Sequence, residues 1–77
     1  MSTNKIYDDV LAERKLQDAE HGGAAHDDEH SVNDFIAYIC KQAGKAVDGS
    51  IAHQRQQMIR VAALAFAVVE KLDRQTA

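Results

Sequence analysis

Between His21 and His30 the chain reads HGGAAHDDEH, and six of those side chains can bind a metal: His21, His26, Asp27, Asp28, Glu29 and His30. Imidazole and carboxylate together suit zinc, manganese, iron or nickel. Magnesium joins them as a candidate where carboxylates dominate. The tightest set is His26, Asp27, Asp28 and His30, with His21 and the more distant His53 as further ligands if the fold brings them close. On a helix His26 and His30 would share a face, and His26-Asp27-x-x-His30 is one residue from the zincin H-E-x-x-H. The zincin is rejected. That motif must lie inside a helix, whereas here two glycines precede it and a helix-capping serine, Ser31, follows. A metal-free reading competes: carboxylates just ahead of a helix favour its N-terminus.

Other reactive types are sparse. Cys40 has no base near it in the sequence and falls on an apolar stripe, so it reads as a buried, inert thiol. His53, Gln54, Arg55, Gln56 and Gln57 form a polar patch, read as a solvated first turn unless His53 lies beside the loop. Ala43-Gly44 resembles the start of a helix-turn-helix turn. The apolar anchor due about six residues later falls on Ser50, with Ile51 one late, so the motif fails. No Gly-rich phosphate loop, G-x-S-x-G elbow or CxxC pair is present.

Three helices must position these residues. The first spans about 4–20, capped by Thr3 or Asn4, with Ile6, Val10 and Leu16 as a narrow apolar stripe and Gly22-Gly23 as its breaker. The second spans about 31–48. Ser31 and Asp34 are spaced as a capping box, and Val32, Phe35, Ile36, Ile39, Cys40, Ala43 and Val47 follow helical spacing. Gly44 within it marks either a close approach of the third helix or an early end. Asp48-Gly49 stops the second helix and Ser50 caps the third, about 51–73. From Val61 to Val69 that last helix has no polar side chain, so it is a buried helix. Nine residues cannot span a bilayer, which needs about 20.

The chain is one domain, 1–77, near the size at which a single core becomes marginal. It has no proline and four glycines, which favours helix. A net charge of −3 argues against a nucleic-acid surface built on general positive charge. One cysteine cannot close an internal disulfide, so a reducing cytosol fits. MSTNKIYDDV has no apolar core and does not read as a signal peptide. The expected fold is an all-α, three-helix, helical-hairpin-like bundle completed by oligomerisation. Two helices cannot cover an all-round apolar third, so Ile59, Phe66 and Val69 are the expected homo-oligomer interface.

Glu13-Arg14, Gln17-Asp18, Gly22-Gly23, His26-Asp27-Asp28-x-His30 and Asp34 together resemble a group of small phage and prophage helical proteins. Those carry an E-R-x-x-Q segment, a G-G-x-x-H-D-D-x-H loop and a terminal A-A-L-A-x-A-x-x-E-x-L-D-R helix. Ala62–Ala65, Glu70 and Leu72-Asp73-Arg74 match the last part, so the similarity covers Glu13–Arg74. Where the group carries tryptophans before the glycines and after Asp34, this chain has His21 and Phe35. The group in turn distantly resembles the MazG-like all-α nucleotide pyrophosphohydrolases, whose fold binds Mg²⁺ through E-x-x-E and E-x-x-D pairs on two helices. Glu70-x-x-Asp73 matches the second pair, and the second helix here has no first pair.

Two functions follow. The first is a small phage-type, non-catalytic interaction protein in the host cytosol, which binds and modulates a host or phage protein, including a defence component. The alternative is a metal-dependent, MazG-like protein that binds or hydrolyses nucleotides through the HDDEH loop. A loop-bound ion stabilises by mass action, about 2.7 kcal/mol at a hundredfold excess over its dissociation constant. In a domain this small that raises the melting temperature by on the order of 10 °C. Melts with Zn²⁺, Mn²⁺, Ni²⁺ and Mg²⁺ should show the shift in the untagged wild type and not in His26→Ala/His30→Ala. If no ion moves the wild-type melt and the double mutant melts alike, the loop is no metal site.

Overall fold

A computed structural model describes residues 3–76 apart from 22–29, and at His21 the backbone alone. The chain is an all-α three-helix bundle: α1, Thr3–His21; α2, Val32–Gly44; α3, Ile51–Thr76. Among the described residues there is no strand, and no helix is long and apolar enough to cross a membrane.

α2 starts where its box predicts. The Asp34 N–H donates to Ser31 Oγ at 3.1 Å and the Ser31 N–H donates to Asp34 Oδ2 at 3.2 Å. Two of the orphan amides of the helix start are thereby satisfied. α3 starts at its predicted cap as well, with the His53 N–H donating to Ser50 Oγ at 3.1 Å. The remaining boundaries differ. α1 already includes Thr3 and Asn4, so neither caps it. α2 ends at Gly44, not near Asp48. Nothing lies within 4 Å of where a Gly44 side chain would stand, so this glycine marks an early end and not a close helix approach. Beyond it the chain tightens into turns: the N–H groups of Ala46, Val47 and Gly49 donate to the carbonyls of Ala43, Gly44 and Ala46. Asp48 takes the left-handed φ of 63° that reverses the chain. A Cβ at Gly49 would stand 2.7 Å from His53 Cδ2, so a larger residue there would displace the His53 ring. α3 runs on to Thr76, where the terminal turn gains a Thr76 Oγ1 bond to the Leu72 carbonyl.

α3 is the shared element. It packs against α1 and against α2, whereas α1 and α2 make no such packing with each other among the described residues. Gln57 meets Gln42 and Gln54 meets Ala46, so α2 and α3 form an antiparallel hairpin. Asp9 meets Arg55 and Glu13 meets Arg60, so α1 runs alongside α3 in the same sense.

The interior is small. Its buried apolar residues are Ala46, Ala63, Ala67 and Val68, joined by buried Gln42, Gln57 and Lys71, and no large side chain is fully buried. Two expected stripes are rotated. On α2 the covered residues are Val32, Phe35, Ile39, Gln42 and Ala43, while Ile36 and Cys40 are exposed; in the turn beyond it Ala46 is buried and Val47 exposed. On α1 only Val10 of the expected stripe is half-buried; Ile6 and Leu16 are exposed, and Asp9, Glu13, Arg14, Gln17 and Asp18 face inward with it. The reason is what α3 offers: arginines and glutamines on its flanks draw in acids and amides, and one neighbour covers one side of α2.

Cys40 is therefore exposed, not buried. A thiol reagent should label it in the native protein within a few-fold of the rate in denaturant. Strong native protection would show that this face of α2 is covered.

Candidate functional site

Of the loop residues, Asp27, Asp28, Glu29, His26 and the His21 side chain lie outside the described residues. His30 is exposed at the edge of α2. Its ring meets Phe35 edge to face, with centroids 6.1 Å apart, and its Nδ1 stands 3.9 Å from Asp34 Oδ2. The Asp34 carboxylate is committed to the capping box, so this end of the loop is tied into the start of α2.

His53 sits in the first turn of α3, against the α2–α3 connection. Its Nε2 stands 3.2 Å from the Lys45 carbonyl and must donate, because a carbonyl can only accept. Gln54 Nε2 donates to the Ala46 carbonyl at 3.2 Å and Gln57 Nε2 to the Gln42 carbonyl at 3.2 Å. The patch read as a solvated turn is thus a clamp. Three side chains from the start of α3 donate to carbonyls at the end of α2 and in the turn beyond it, where a helix has acceptors without intrahelical partners. Arg60 extends the network, donating to Gln57 Oε1 at 3.4 Å. Sequence reading missed Gln42 and Gln57. The signal was available in spacing: Phe35, Ile39, Gln42 and Ala46 keep a four-three-four rhythm, as do Gln57, Leu64 and Lys71 at intervals of seven.

Ion pairs join α1 to α3. Arg55 donates to Asp9 Oδ2 at 2.7 Å, and Lys5 reaches Asp9 Oδ1 at 2.8 Å. Arg60 Nε lies 3.7 Å from Glu13 Oε1. Arg14, with its side chain 13% exposed, donates to Asp18 Oδ1 at 3.0 Å and to Glu70 Oε1 at 2.7 Å. Partial burial works against the Arg14 charge. The bond to Glu70 and the field of Asp18 outweigh it and hold the guanidinium pKa above its ordinary value. Where the three helices converge they leave a cleft of about 140 Å³ lined by Leu16, Gln17, Tyr38, Gln42 and Leu64 among others. Gln17 Nε2 reaches the Arg60 carbonyl at 3.5 Å, and its Oε1 is buried with no partner among the described residues.

The magnesium pairs of the resembled pyrophosphohydrolases do not fit here. Glu70, half of the matching pair, is neutralised by Arg14, and α2 carries no E-x-x-E. Among the described residues no three His, Cys, Asp or Glu side chains gather as metal ligands.

Of the expected interface residues, Phe66 and Val69 lie on the outer face of α3, 47% and 56% exposed. Ile59 is half-buried and turns toward α1, lining a groove with Ala12, Leu16, Ala52 and Gln56. A second, mostly apolar groove of about 350 Å³ runs along the outer face between Ala62, Ala65, Phe66, Val69, Glu70 and Asp73. Compared with protein-family models, curated proteins and solved structures, the chain finds no match.

The Lys5 and Arg55 hydrogen bonds hold the Asp9 carboxyl below its ordinary pKa of 3.8. A depressed carboxylate contributes stability above its unfolded value, and that contribution is lost as pH falls through the folded one. Between about pH 6 and about pH 3 the wild-type melt should therefore fall further than that of Asp9→Asn. Equal losses would show that this contact does not stabilise the fold.

Proposed function

We propose that this chain is a non-catalytic interaction protein, self-associated through α3, that binds another protein and modulates it. One observation carries the reading: the outer face of α3 is apolar and exposed, while the buried apolar residues of the interior are three alanines and a single valine. A chain this short gains missing burial by associating. Exposed apolar surface in one stretch marks a binding site. α1 adds a second patch, Ile6, Tyr7 and Leu11, all exposed, which one self-association seam along α3 does not need. The resemblance to phage proteins makes a host or phage protein in the bacterial cytosol the partner, with a defence component one such target. A tied-up Glu70 and the surface chemistry of α3 support this reading over nucleotide hydrolysis.

Sedimentation of untagged protein at micromolar concentration should give at least twice the 8.5 kDa of one chain. Val69→Asp should weaken association by at least about tenfold, since burying a valine is worth about 1.5 kcal/mol or more. A clean wild-type monomer, or nucleoside triphosphate hydrolysis with Mg²⁺ or Mn²⁺ by the same preparation, would overturn the proposal.

A further inference from the structure

We draw no further inference here: the strongest candidate, the exposed apolar patch on the outer face of α3 along Ala62, Ala65, Phe66 and Val69, carries nothing beyond the association already proposed, because nothing in the structure shows what covers it.

Discussion

α3 is packed from two sides by helices that, among the described residues, do not pack on each other, and the apolar side chains it buries are Ala63, Ala67 and Val68. Ala63 and Ala67 are among the few apolar residues fully covered where α1 and α2 pack on α3. That limits what burial contributes. An alanine removes little apolar area from water, and apolar stabilisation scales with that area. Several larger hydrophobic residues of α3, Ile51, Met58, Phe66, Val69 and Leu72, stay exposed instead.

With little apolar adhesion inside, polar contacts carry the arrangement of the helices. The hairpin is fixed where His53, Gln54 and Gln57 feed donors into carbonyls at and just beyond the end of α2. The Gln57 bond satisfies a carbonyl that the end of α2 otherwise leaves without an intrahelical donor, and leaving a buried acceptor unmet is costly. Gln42 and Gln57 are buried as a pair for this reason. Their geometry sets the register of α2 on α3 in a way that alanines, which slide past one another easily, could not.

Local signals in the sequence were readable where one residue's chemistry decides the outcome. Ser31 with Asp34, and Ser50, mark helix starts because the capping bond closes within a few residues. The end of α2 was less legible, because Gly44 lowers helix propensity without saying whether the next helix is near. Cys40 was misplaced for a related reason: helical spacing identifies a stripe but not how many neighbours cover it. The ion pairs Asp9–Arg55 and Arg14–Glu70 join residues far apart in sequence, and nothing local pairs them. The outer face of α3 was visible as an excess of apolar residues, but its division into an inner and an outer side follows only once α1 and α2 are in place. Part of the ligand-rich stretch, His30 with Asp34, turns out to be joined to a helix cap.

The unlike attachments of α1 and α2 to α3 divide the molecule into parts of unequal resilience. α2 is bound through amide–carbonyl bonds across a short turn. α1 is bound through Asp9–Arg55, Glu13–Arg60 and Arg14–Glu70, pairs at or near the surface, and mobile ions screen such attractions over about 8 Å at physiological ionic strength. α1 is thus the helix whose attachment rests most on contacts that added salt weakens, whereas the α2–α3 hairpin is joined by bonds between uncharged amides and carbonyls.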